Sequence, residues 1–132
     1  MPDILIGSKG EQKILVTSEV AINFLGTEGA RVLSTPHMIG FMERTCRDLV
    51  LPLLEPGHDT VGTHVDVWHL AAAPMGMTVT FTAEITGVEG RRVEFRVEAF
   101  DEAEKVGEGK HERAIINVAK FATRLGDKAP KK

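Results

Sequence analysis

From Met77 to Ala99 polar and apolar residues alternate almost without a break. Met77, Val79, Phe81, Ala83 and Ile85 oppose Thr78, Thr80, Thr82 and Glu84; Val93, Phe95, Val97 and Ala99 oppose Glu94, Arg96 and Glu98. A period of two is the pattern of strands with one dry face. Gly87-Val88-Glu89-Gly90 between the rows predicts a hairpin turn. Residues Asp101 to Glu104 predict a second connection, into a last long strand from Lys105 to Phe121 in which Gly107 and Gly109 mark a bulge. Upstream, Gln12 to Val20 is rich in β-branched and apolar types and reads as a first strand, whereas Ala21 to Leu33 reads as a loop with a short turn.

Between Ser34 and Gly57 the period lengthens. Met38, Ile39, Met42, Cys46, Leu49, Val50 and Leu53 recur on one stripe, while Arg44, Arg47, Asp48 and Leu51 lie elsewhere. Ser34 or Thr35 caps the start of this helix, Pro36 suits its first turn, and Pro52, Pro56 and Gly57 mark its end. It is the only long helix predicted. The order is then strand, helix, four strands, an α+β arrangement in which an antiparallel sheet curves around one long central helix. A single helix leaves sheet edges open, so pairing with a second copy through neighbouring strands is the natural remedy.

At 132 residues the chain is read as one domain, residues 1–125, followed by a solvated tail, 126–132. Sixteen basic and nineteen acidic residues are interspersed and give a net charge of −3, which provides no positive field for nucleic acid or an anionic membrane. Trp68 stands alone, so there is no aromatic platform for single strands. The lone Cys46, among apolar neighbours, excludes an internal disulfide framework and is read as buried packing. No run has the length of a signal peptide or a membrane span, which points to a cytoplasmic protein. Metal-ligand spacings, phosphate-cradling glycine loops and serine elbows are absent, so neither a metal nor another cofactor is expected.

The candidate chemistry sits on the strand containing Gly62 and His69 and on the helix. Simple alternation places His69 on one face with Val61, Val65, Val67 and Ala71, and turns His64, Asp66 and Trp68 the other way. An imidazole at the end of an apolar row is either a core histidine bonded to backbone or a working base. Glu43 falls about 100° from Met42 on the helical wheel, at the margin of the buried stripe. A carboxylate there loses hydration unless a cation or donor compensates; the plainer reading is a surface pair with Arg47 at i+4. His69 and Glu43 meeting where helix and sheet pack would form a pair suited to activating water. Thr35 adds a hydroxyl at the positive end of the helix, where backbone N–H groups also polarise a carbonyl oxygen, unless it serves only as a cap. One difficulty is distance, since eight residues of straight helix put Thr35 and Glu43 about 12 Å apart. Either Thr35 lies in a loop that folds back, or the site is completed across a dimer. His37, His58 and His64 are read as surface residues, and Arg113 either binds an anion or pairs with charges across strands.

These residues carry a resemblance. Gly40-Phe41-Met42-Glu43, Leu54-Glu55-Pro56-Gly57, Val61-Gly62-Thr63, Val67-Trp68-His69-Leu70-Ala71-Ala72-Ala73-Pro74-Met75-Gly76, Val88-Glu89-Gly90-Arg91-Arg92 and Gly109-Lys110-His111-Glu112-Arg113-Ala114 occur in an order that resembles the fluoroacetyl-CoA thioesterase type of hot dog fold protein. The resemblance implies a homodimeric acyl-CoA thioesterase whose working threonine, glutamate and histidine are Thr35, Glu43 and His69. It also implies that Gly62 lines the site and that Arg113 lies near the acyl-CoA pocket. Two departures stand out: Thr27 to Leu33 lack the phenylalanines that gate the acyl group in the fluoroacetate-specialised enzyme, and Pro36 replaces its glycine after the threonine. The acyl group is therefore left open. A hot dog hydratase or dehydratase acting on acyl-CoA, and a non-catalytic acyl-CoA or small-ligand binding module, are the alternatives.

Overall fold

The computed structural model describes residues 4–22 and 26–130. Its strands are β1 (Lys9–Leu15), β2 (His58–His69), β3 (Thr78–Glu89), β4 (Arg92–Phe100) and β5 (Lys105–Asn117); its helices are α1 (Thr35–Val50) and α2 (Val118–Lys128). The strands form one antiparallel sheet in the order β1-β3-β4-β5-β2, curved around α1 as the alternation predicts. The buried rows of β3 and β4, Val79, Phe81, Ala83 and Ile85 with Val93, Phe95, Val97 and Ala99, close over Met38, Met42, Cys46 and Val50 of α1. Contact is close at Gly107, where a Cβ would lie 2.7 Å from the sulfur of Met38. The bare backbone there lets the helix settle into the sheet.

Ser34 caps α1, its hydroxyl accepting from the amide of His37 at 3.2 Å, and Pro36 occupies the first turn. The helix tightens into a 3₁₀ turn at Leu51–Leu53, where Pro52 stops it. Several element bounds depart from the sequence reading. The first strand spans Lys9–Leu15 rather than Gln12 to Val20, because its register is fixed by pairing Lys9 with Glu84 through Leu15 with Thr78. The β3–β4 turn lies at Gly90 and Arg91, since Glu89 still pairs with Arg92; Gly90 supplies the left-handed φ of 61°. The bulge expected at Gly107 or Gly109 falls on Val106, between the pairs Ala99–Gly107 and Phe100–Lys105. The last strand stops at Asn117, whose side chain accepts from the amide of Lys120 and starts α2. This helix crosses the expected tail boundary at 126, and none of its residues is buried. Lys131 and Lys132 lie outside the described residues.

One irregularity reshapes the site. Gly62 pairs with Arg113 but His64 pairs with Glu112, so Thr63 is an extra residue in β2. Paired residues share a face. Thr60 and Gly62 before the bulge, and Val65, Val67 and His69 after it, therefore all face the helix, opposite Ile115, Arg113, His111, Gly109 and Gly107. Val61, expected beside His69, lies on the outer face opposite Ala114. Without the bulge, residues seven apart such as Gly62 and His69 would point to opposite sides.

Candidate active site

Strand β2 runs beside α1, and the two elements meet at separate places. At the first, Thr35 and His69 join: Oγ1 of the threonine lies 2.7 Å from Nδ1 of the imidazole. The other ring nitrogen, Nε2, is buried and has no hydrogen-bond partner among the described residues. Burial lowers the His69 pKa below the usual 6.5, which favours the neutral ring. Ile22, Val32, Leu33, Leu70, Ala71 and Ala72 complete an open, mainly apolar hollow of about 380 Å³ around the pair. The expected bank of free amides at the helix start is smaller than the sequence implies. Pro36 has no N–H, and the amides of His37 and Met38 are bonded to the Ser34 side chain and carbonyl at 3.2 and 2.9 Å. That leaves the Thr35 amide among the first four helical residues.

At the second place Glu43 meets β5. Arg113 is buried, with 5% exposure, and each nitrogen of its guanidinium has a partner. Its Nε donates to Thr60 Oγ1 at 2.7 Å and its Nη2 to the Thr60 carbonyl at 2.9 Å. Its Nη1 reaches His111 Nε2 at 3.1 Å and Glu43 Oε2 at 3.5 Å. The Glu43 side chain remains 40% exposed, so a buried cation holds one side of the carboxylate while the other stays reachable. Gly62 makes this approach possible, because a Cβ there would lie 2.6 Å from Glu43 Oε2. The surface pair of Glu43 with Arg47 does not form. Arg47 instead grips Asp59 with two hydrogen bonds of 2.9 and 2.7 Å, which hold the Asp59 carboxyl below its ordinary range.

Thr35 is helical, so the loop that would fold it back toward Glu43 is not present. Eight residues of one helix separate the two by about 12 Å along the axis. The expected meeting of Glu43 with His69 inside one chain does not occur: Thr35 and His69 come together, Glu43, Gly62 and Arg113 come together, and the two groups stand apart.

His111 is the member the sequence reading left out. Its ring is 1% exposed, stacks on Phe95 at 6.1 Å and places Nδ1 2.8 Å from the His64 carbonyl. The signal was available in parity, since His111 and Arg113 share the face of the buried Ile115. His37, His58 and His64 lie at the surface or partly so, with His37 bonded to Ser34 and His58 to the Pro56 carbonyl. Cys46 is fully buried, and burial pushes its thiol up to about 12, well outside nucleophile range. Among the described residues no group of three or more His, Cys, Asp or Glu could hold a metal ion, and no helix is long and apolar enough to cross a membrane.

Residues 16–119 match the family model of FlK, the fluoroacetyl-CoA-specific thioesterases. A fluoroacetyl-CoA thioesterase of Streptantibioticus cattleyicolor is 46% identical over 103 residues, which cover 78% of this chain and 74% of that protein. A single-residue variant of the fluoroacetyl-CoA thioesterase FlK, solved in complex with acetyl-CoA, superposes with a TM-score of 0.87 at 37% identity, covering 96% of this chain and all of that one. A thioesterase superfamily member from Thermus thermophilus superposes equally well, with a TM-score of 0.87 at 35% identity over 97% of each chain.

Proposed function

Because the chain belongs to the fluoroacetyl-CoA-specific thioesterase family, we propose that it hydrolyses a small acyl-CoA to the free acid and coenzyme A at a site shared between two copies. The observation that carries this reading is the placement of Thr35 with His69 and of Glu43 with Gly62 and Arg113 toward opposite ends of one edge strand. Among the described residues strand β2 has a neighbour only in β5, its residues from Gly62 to Asp66 are exposed, and Trp68 and the following Leu70 remain 68% and 52% exposed. Such an edge invites a second strand. Antiparallel self-pairing about a two-fold axis at Asp66, with Thr63 bulged out of the register, would set Gly62 of one copy across from His69 of the other. Each Glu43 would then face the Thr35–His69 pair of the second copy, which supplies the meeting that one chain lacks.

In that cleft the Thr35 hydroxyl and amide hold the thioester carbonyl and stabilise its oxyanion. Either Glu43 or the free nitrogen of His69 takes the proton from an attacking water, or Glu43 attacks the carbonyl itself and water releases the acyl group in a second step. In both routes the C–S bond breaks, the sulfur leaves as the coenzyme A thiol after gaining a proton, and water supplies the oxygen of the new acid. No metal or redox group enters this scheme, and the enzyme works as a cytoplasmic homodimer.

Thiol release over a panel of short, branched, aromatic and halogenated acyl-CoA substrates tests the reaction. Complementation tests the geometry. Glu43→Gln and His69→Asn are each inactive on this reading, and an equal mixture of refolded subunits regains roughly a quarter of wild-type turnover, because each mixed dimer contains one intact site. A mixture that stays inactive while mixed dimers form overturns the shared site, and a panel with no thiol released overturns the hydrolase reading.

A further inference from the structure

His111 lies between two parts of the molecule that the reaction scheme does not connect: the bulged stretch of the edge strand and the Glu43 carboxylate. Its Nδ1 faces the His64 carbonyl at 2.8 Å. A carbonyl only accepts, so Nδ1 carries the proton. Its Nε2 faces Nη1 of Arg113 at 3.1 Å. An arginine only donates, so Nε2 carries the lone pair. The two bonds together fix one neutral tautomer. A proton on Nε2 would set N–H against N–H beside a buried cation. The charged groups around the ring are Arg113 and Glu112 on its own strand and Glu43 from the helix, with Glu43 Oε2 4.0 Å from Nε2. Arg113 takes its other acceptors from Thr60, so His111 and Thr60 between them leave Nη1 a single remaining direction, toward Glu43.

We propose that His111 is a positioning residue for the hydrolysis, its Nδ1–H tautomer anchored on the His64 carbonyl so that Nε2 keeps the Arg113 guanidinium turned onto Glu43. The inference rests on the catalytic role assigned to Glu43. It goes further by making the edge strand at the Thr63 bulge part of what orients the carboxylate. A second copy that pairs with this edge would therefore steady the strand from whose carbonyl the His111–Arg113–Glu43 chain hangs.

Long-range proton–nitrogen spectra of the wild-type imidazoles at neutral pH provide a readout that needs no variant. The expected result is a His111 ring protonated on Nδ1 alone, and a proton on Nε2 overturns the proposal. In thiol-release assays His111→Phe fills the space without an acceptor and lowers kcat by about tenfold or more, with KM within about twofold. His111→Gln restores an acceptor toward Arg113 and returns kcat to within about threefold of wild type. A ring that only fills space would leave the phenylalanine variant as active as the glutamine one, and that result removes the positioning role. Glu43→Gln in the same assay separates the two layers. Full turnover there removes the catalytic reading beneath the inference, whereas an inactive Glu43→Gln beside an unimpaired His111→Phe removes the inference alone.

Discussion

The two ends of the helix–strand contact solve opposite problems. Around Glu43 the polar groups form a connected chain: Thr60 and His111, the latter anchored on the His64 carbonyl, hold a buried guanidinium, and that guanidinium holds the carboxylate. Around His69, among the described residues, there is one side-chain hydrogen bond, an unpartnered ring nitrogen and an open, mostly apolar hollow. The first end is set before any substrate arrives, which suits a group whose charge must be aimed. The second leaves capacity unused and apolar surface uncovered, which suits the end that receives the acyl group and its carbonyl.

The widest separation between the ends is expected in activity. Glu43→Gln preserves shape and an acceptor for Arg113 but removes the base, and kcat falls by about 10² to 10⁴ with KM nearly constant; thiol-release kinetics measure both. Stability separates them next. Arg113→Met leaves Thr60 and His111 without their buried donor and lowers unfolding free energy by about 2 to 4 kcal/mol in urea titrations. Thr35→Val, at the open end, changes it by only about 0.5 kcal/mol. Equal losses in the two variants would erase the distinction. Gly62→Ala sharpens it further, because the new methyl must displace Glu43 Oε2 and presses on the His111 ring at 3.2 Å, so kcat drops about 10- to 100-fold while Tm falls less than in Arg113→Met.

The smallest effect is on acid stability. Burial holds both His69 and His111 below 6.5, and Arg113 pushes His111 further down against the His64 hydrogen bond. As pH falls through 6.5 the unfolded chain takes up protons that these folded rings refuse, so their contribution is complete above that value and declines below it until the folded rings titrate. His111→Gln and His69→Asn each flatten this decline, as thermal melts between pH 7 and pH 5 would report.

Much of this was legible in the chain because burial has a period. The rows Val79 to Ile85 and Val93 to Ala99 specified the central strands, and the stripe from Met38 to Val50 specified the helix and set Glu43 at its edge. Cys46 announced its burial in the same way. What periodicity conceals is a single added residue. Thr63 gives no local signal, and it alone moved Val61 off the inner face. Helix α2 was hidden for a related reason: Val118, Ala119 and Phe121 continue the apolar composition of β5, and only the capping Asn117 marks the change. His111 was passed over because a charged triplet, His111-Glu112-Arg113, looks like surface until its strand is known to bury every second residue.

Thr63 makes β2 resemble a sentence read in two phases, with the message intact only if the phase change is kept. Substitution at that position alters a side chain that is exposed and bonded to the Glu112 carbonyl. Loss of the residue would shorten the strand by one step and rotate everything on one side of it by half a turn, sending either Gly62 or His69 to solvent. Length, more than identity, is therefore what this strand cannot change.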